Sequence, residues 1–485
     1  MKKAIVIGAG FGGIASALRL KKKGYDVEIV DRCNNLGGRA QFFEVNGYKY
    51  DAGPTIITAP FLFKELFSLY DKNFEEYVTL KPLDVWYRFL FSDGSYFDYE
   101  KSIDNTISNI KKINNADAAN YKKLLMQSKR IYDLAFEKLA DKPFNKFYTM
   151  VKYIPSLLRF KSYESVYSFT SRYLKSEKLR RAFSIQPLLV GGNPFDTTCI
   201  YSLIHYLERA HGVYFSMGGT GNLVKAFSKL MEEVGIKVTL NTTIEKFHIV
   251  NKFITSVEDN RGNNKNADLF ISNIDPLHLY KNLIKSENIL LKYKKKYVRH
   301  SMGLFVLFFG TKKKFNKIEH HTILFGNQYY ELLLKIFKKF ELPEDISIYL
   351  HRPTATDSSF APKGGDSYYA LVPVPNLLAK KIAWSTVAEN FKNLILKVLE
   401  ERTMPGLSKE IVHSFYMTPE NFKERYLSDE GAGFSVAPFF TQSAWFRFHN
   451  KSEILKNLYL VGAGTHPGAG LPGVVSSAKV LENLL

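Results

Sequence analysis

Residues 4–31 constrain the fold more than any other stretch of this chain. Ala4-Ile-Val-Ile7 is a short apolar strand, and Gly8-Ala-Gly10-Phe-Gly-Gly13 is a Gly-x-Gly-x-x-Gly turn that opens a helix with an apolar stripe at Ile14, Ala17 and Leu18. Gly24 ends that helix, Tyr25-Asp-Val-Glu-Ile-Val30 is a second strand, and Asp31 follows it, some 20 residues beyond the glycines, where a ribose-binding carboxylate belongs. Gly8 permits the tight turn, Gly10 lets a diphosphate approach the backbone, and Gly13 lets the helix pack on the strand. Lys2 and Lys3 ahead of an apolar run also have the outline of a secretory signal. The glycine spacing and the in-register Asp31 favour the nucleotide turn.

These residues alone leave NAD and FAD both open. Leu36-Gly37-Gly38-Arg39 favours FAD, because it brings glycine backbone and a guanidinium fork toward the diphosphate. Asp51-Ala-Gly53-Pro54-Thr55 is a compact turn that either approaches the ribityl–flavin region or is plain punctuation. At the other end, an apolar strand from Leu458 to Val461 feeds a loop carrying Gly462, Gly464, Gly468, Gly470 and Gly473, with a helix expected from near Val474. So many glycines are entropically costly unless main chain must lie close to something flat or charged. The helix start beyond them offers free N–H groups and a positive dipole end, which suits a flavin ring that becomes anionic on reduction.

At 485 residues the chain exceeds a usual single core, so two or more units are expected. Two cysteines, Cys33 and Cys199, lack metal or disulfide spacing, and a reducing cytoplasm and no metal site are expected. The balance of 67 basic against 47 acidic residues gives +20. That charge fits an anionic lipid surface, nucleic acid or lysine-rich composition, and without a nucleic-acid motif a nucleic-acid partner is not expected. No apolar run reaches membrane-spanning length; Ser301 to Gly310 is strand length. Between Lys142 and Lys161, Phe144, Phe147, Tyr148, Met150, Val151, Tyr153, Ile154, Leu157, Leu158 and Phe160 alternate with lysine and arginine. This segment is either an interfacial element or a helix pair with snorkelling lysines.

Mid-chain, a helix from Leu223 to Val234, a stop at Gly235, a strand from Lys237 to Leu240 and a strand from Ala267 to Ser272 add further nucleotide-domain material. With Leu188-Leu-Val-Gly-Gly-Asn-Pro-Phe195, Ile200-Tyr-Ser-Leu-Ile-His-Tyr-Leu-Glu208, Gly212 to Gly221, His320-His-Thr-Ile323, His351 to Asp357, Gln442 to Arg447 and Gly462 to Gly470, the chain resembles bacterial-type phytoene desaturases over essentially its whole length. These are carotenoid-forming members of the FAD-dependent, amine-oxidase-like flavoproteins. The resemblance implies an α/β architecture with a discontinuous Rossmann-like FAD-binding domain (1–85, 214–275 and 450–485) and an interleaved α+β substrate and membrane-associating domain (86–213 and 276–449).

It further implies that Ile244 meets the adenine side through its backbone, and that FAD is held by Gly8, Gly10, Gly13, Asp31, Gly38, Arg39, Gly53, Pro54, Thr55, Gly462, Gly464, Gly470, Gly473 and Val474. Phytoene, drawn from the bilayer, would lose hydride to the flavin and become a neurosporene- or lycopene-type product, with quinone or oxygen as final acceptor. The enzyme would lie peripherally on the cytoplasmic face of the inner membrane. Glu177, Arg180 and His466 are weak candidates for acid–base work, and His320 and His321 are expected to pack or to wall the tunnel. The alternatives are another isoprenoid flavoprotein, such as a dehydrosqualene desaturase or other carotenoid oxidoreductase, and a non-catalytic prenyl-lipid carrier of the same fold.

Overall fold

Strand Lys3–Ile7 lies at the centre of a five-stranded parallel sheet, in a computed structural model that describes residues 1–284 and 288–485. Leu269–Ser272 and Asp26–Val30 flank it, and Leu458–Leu460 and Lys237–Thr239 form the edges. Near-continuous apolar runs are what a parallel sheet covered on both faces requires, and Ala4, Val6, Ile29 and Ile271 are all buried. Helix Phe11–Lys22 makes the crossover from the first strand to the second, and Gly24 turns the chain at φ +86°, a conformation that favours glycine.

Helices Gly219–Glu233 and Leu471–Glu482 pack beside Phe11–Lys22 through Phe227, Leu230, Val475 and Ala478. Burial of Phe227 or Leu230 contributes about 2 kcal/mol each. Both helices begin ahead of their expected starts. The first does so because Asp51 caps it, its Oδ1 accepting the Thr220 N–H at 2.8 Å. In the second, Pro472 occupies the first turn, where the missing N–H costs nothing and φ is already helical.

A second, seven-stranded sheet runs Ile411–Met417, Gly303–Thr311, Asp366–Val374, Ile348–His351, His321–Leu324, Val85–Leu90 and Tyr96–Glu100. It is antiparallel except where His321–Leu324 pairs with Val85–Leu90. Gly303–Thr311 alternates by face as a strand must. Phe305, Leu307 and Phe309 join the core beneath helix Trp384–Arg402, while Leu304, Val306 and Phe308 join the opposite core. That second face is the floor under the site. The strands of the parallel sheet come from 1–85, 214–275 and 450–485, and all but the start of Val85–Leu90 in the larger sheet from the segments between.

Candidate active site

One cavity of about 570 Å³ begins at the glycine turn of the parallel sheet and runs over the floor of the larger sheet to residues 144–157. At its first end the two chain termini meet. A Cβ on Gly12 would stand 3.2 Å from Gly462 Cα and 2.7 Å from Asn273 Oδ1. Gly13 does not line the cavity; a Cβ there would lie 2.0 Å from the Gly8 carbonyl oxygen, so it is the packing glycine that the sequence implied. Asp31 lines the wall, with Oδ2 accepting the Ala9 N–H at 2.6 Å and Oδ1 the Cys33 N–H at 2.7 Å. Each oxygen keeps a lone pair for a hydroxyl group, and burial pushes its pKa up.

This end fits a dinucleotide by its own chemistry. Arg39 is half-buried against the cavity; Nη2 donates to Ser428 Oγ at 2.9 Å, and its buried Nε has no partner among the described residues. A guanidinium with a buried, unused donor calls for an anion, although the two-pronged grip expected from the sequence has one prong committed to Ser428. Asp275 Oδ2 and Ser435 Oγ are likewise buried on this wall without partners. Gly8, Gly10, Gly38, Gly53, Pro54, Thr55, Ile244, Gly462, Gly464, Gly470, Gly473 and Val474 all line the cavity. Gly53 is also required by packing, since a Cβ would lie 2.1 Å from the Arg39 carbonyl oxygen.

Midway, Thr55 Oγ1 meets Tyr349 OH at 2.6 Å, and Tyr349 OH meets His321 Nδ1 at 2.8 Å. Behind them His351 and His320 share a hydrogen bond between their Nε2 atoms at 3.1 Å, and His320 Nδ1 bonds Thr356 Oγ1 at 2.6 Å. Burial pushes all three imidazole pKa values well below the ordinary histidine range, so these rings are neutral. They sit behind the wall rather than in it. Helix Leu203–His211 lays Leu203, Ile204, Leu207 and Glu208 along the same stretch.

At the far end Phe144, Met150 and Leu157 line the cavity, while Phe147, Tyr148 and Leu158, at 50%, 69% and 61% exposure, face outward among exposed Lys142, Lys146, Lys152, Arg159 and Lys161. His466 stands at this end. Its Nε2 donates to the Leu139 carbonyl at 3.1 Å, its ring meets Phe144 edge-on, and burial pulls its pKa down to about 4.

Glu177 and Arg180 are not on the cavity wall. Helix Glu177–Phe183 turns both away: Glu177 accepts from Arg181 Nε at 3.1 Å and Tyr167 OH, and Arg180 Nε donates to the Leu174 carbonyl at 2.7 Å. An i, i+4 partner and a free backbone carbonyl satisfy them at the surface. Sequence reasoning passed over Asn273, Asp275, Ser435 and Glu208. For Glu208 a signal existed, an acid on the helical face that carries Ile204 and Leu207. The other three become neighbours only through the fold.

A Rossmann-type glycine turn meeting a second, C-terminal glycine loop beside an apolar tunnel defines a two-domain flavoprotein. The chain matches the flavin containing amine oxidoreductase family over residues 11–480 and belongs to it. It is 41% identical to a lycopene-forming phytoene desaturase of Pantoea ananas, covering 100% of this chain and 99% of that one. It is 39% identical to a neurosporene-forming phytoene desaturase of Rhodobacter capsulatus, covering 100% and 94%. Among solved structures it is similar to an oxidoreductase from Methanosarcina mazei, with TM-score 0.68 at 17% identity, covering 99% of this chain and 100% of that one.

Proposed function

We propose that this chain is an FAD-dependent carotenoid desaturase, which takes a C40 polyene of the phytoene type from a lipid surface and introduces double bonds into it. The observation that carries this is the continuity of one cavity from the glycine cradle to the apolar, basic-rimmed surface at Phe147 to Arg159. When bound, FAD supplies a hydride acceptor for an allylic carbon.

The protein's own share is binding, orientation and dryness. The first-turn N–H groups of helix Phe11–Lys22, together with Arg39, take the diphosphate, and Asp31 takes the ribose hydroxyls. The start of helix Leu471–Glu482 turns its positive end to the cavity through Gly470, Gly473 and Val474. Ile185, Leu188, Met302, Leu304 and Leu371 give the polyene an apolar bed that excludes water. Arg447 holds the C-terminal glycine loop in place by donating to the carbonyls of Thr465 at 3.0 Å and Ala463 at 2.6 Å.

Among the described residues no helix is long and apolar enough to cross a membrane. The exposed apolar and basic face of residues 142–161 therefore serves as a peripheral lipid contact at the cavity mouth, and quinone or oxygen serves as final acceptor. Expression in a phytoene-accumulating bacterium, with pigment spectroscopy, tests the reading: coloured polyenes are expected. Colourless cells containing folded, yellow protein would overturn it.

A further inference from the structure

We propose that Glu208 is the base that receives the proton in the desaturation, an assignment that rests on the reading of the cavity given above. Among the described residues three acids line the cavity: Asp31, Glu208 and Asp275. Asp31 is occupied by two backbone N–H groups, and Asp275 accepts the Leu277 N–H at 2.9 Å with the Arg39 cation beside it. Glu208 differs by its place: Asp275, whose Oδ2 is also unpartnered, belongs to the dinucleotide end, whereas Glu208 lies on the apolar stretch with Leu203, Ile204 and Leu207. It is 1% exposed, Tyr87 OH donates to Oε1 at 2.7 Å, and among the described residues Oε2 is buried without a hydrogen-bond partner. A buried carboxylate oxygen left unpaired is costly, and a carboxyl so placed beside an apolar cavity is suited to taking a proton.

The groups packed around it give that oxygen no hydrogen bond among the described residues, although the Arg209 charge lies near enough to act on it. Arg209 donates to Tyr121 OH, Thr106 Oγ1 and the Glu100 and Lys101 carbonyls rather than to Glu208, and its guanidinium stacks on Trp86 and Tyr99. His205, one turn back, is turned to Tyr99 OH at 3.1 Å, and burial drives its pKa down to about 3. Tyr87 lies flat over Tyr99 and beside His321, whose chain of hydrogen bonds ends at Tyr349 and Thr55 on the cavity wall. Desolvation raises the Glu208 pKa to about 7, against the pull of Tyr87 and Arg209. His466, which also keeps an unpartnered ring nitrogen, stands at the far end of the cavity, and burial pulls its pKa down to about 4.

One C–H bond breaks and its hydrogen leaves with the electron pair to the flavin, which is reduced. The neighbouring C–H gives its proton to Glu208 Oε2, and the electron pair left on carbon becomes the new C=C bond. The carboxylic acid so formed exchanges its proton with solvent between turnovers. Tyr87 is a positioning residue: its hydroxyl holds the carboxylate and favours the ionised form.

The test compares flavin-loaded wild type with Glu208→Gln, Glu208→Asp and Tyr87→Phe on phytoene in liposomes, following kcat against pH, alongside infrared titration of the substrate-free protein. Glu208→Gln should keep its flavin absorbance and lose about 100-fold or more in kcat, and Glu208→Asp should recover part of it. Tyr87→Phe should move the acidic limb of the profile to higher pH. The protonated-carboxyl band titrating near neutrality should shrink in Glu208→Gln. Wild-type kcat in flavin-loaded Glu208→Gln overturns the assignment. If that variant fails to hold flavin, profiles of Glu208→Asp and Tyr87→Phe that superimpose on wild type overturn it equally. A wild type inert toward phytoene sinks the desaturase reading itself, a result the substrate-free infrared titration keeps separate from a failure of the carboxyl assignment.

Discussion

Arg19, buried in the first helix, binds Glu482 in the last turn of the final helix at 2.6 Å and Glu65 at 2.9 Å. The two ends of the chain are thus pinned by charge directly behind the loops that line the dinucleotide end of the cavity. Arg19→Met keeps most of the packing volume and removes both charge-assisted bonds, a loss of about 2–3 kcal/mol. The expected result is a lower melting temperature together with flavin release at lower denaturant concentration. Unchanged values for both would show that the pinning is incidental.

The glycines of the first turn divide by what a side chain would meet. At Gly13 a Cβ would collide with the Gly8 carbonyl oxygen at 2.0 Å, whereas at Gly10 its nearest neighbour is Asn273 Nδ2 at 3.1 Å. Gly13→Ala is therefore expected to abolish soluble protein. Gly10→Val should give protein with near-normal far-ultraviolet circular dichroism but no yellow colour, because the branched side chain occupies the diphosphate approach. A yellow Gly10→Val protein would refute that placement.

Asp51 provides a pH test of stability. Burial raises its pKa from 3.8 to about 7 despite the Thr220 N–H on Oδ1, and Oδ2 has no partner. A carboxyl whose folded pKa exceeds its unfolded one adds stability that is complete below about 3.8 and lost as pH rises to about 7. Asp51→Asn should therefore stabilise the protein relative to wild type by an amount that grows between about pH 4 and about pH 7 and levels off above. A melting-temperature difference that stays flat across that range would contradict the assignment.

The lipid face can be separated from the fold. Replacing Tyr148 and Leu158 together by serine removes exposed apolar surface and leaves the Phe147–Trp445 ring contact in place. Partitioning onto anionic vesicles should fall about 10–100-fold, with melting temperature and flavin content unchanged. Flotation of the variant at the wild-type level would place the lipid contact elsewhere.

Much of the nucleotide half was legible because its signals are local. A strand, a glycine turn, a helix and Asp31 follow one another within a few turns of chain, and each residue's task is set by its neighbours in sequence. The polar part of the site was not legible in that way. Glu177 and Arg180 had suitable spacing, yet their helix faces them outward, while Glu208, an acid on the helical face of Ile204 and Leu207, becomes notable only beside Tyr87, which approaches from a strand. Arg39 was legible as a candidate for the dinucleotide end, where it lines the cavity, but its tie to Ser428 was not.

The linear order of residues thus determined the parallel-sheet class, the glycine cradle and the need to bring residues near 10 and 465 together, since backbone conformation and apolar periodicity are short-range properties. Which buried carboxyl on the apolar stretch keeps an oxygen without a donor, and where the tunnel opens, were decided only when helix Leu203–His211 and the segment around Phe147 packed over the larger sheet. Desolvation and unmet hydrogen bonds arise from what closes around a group in space, and chain position alone does not encode them.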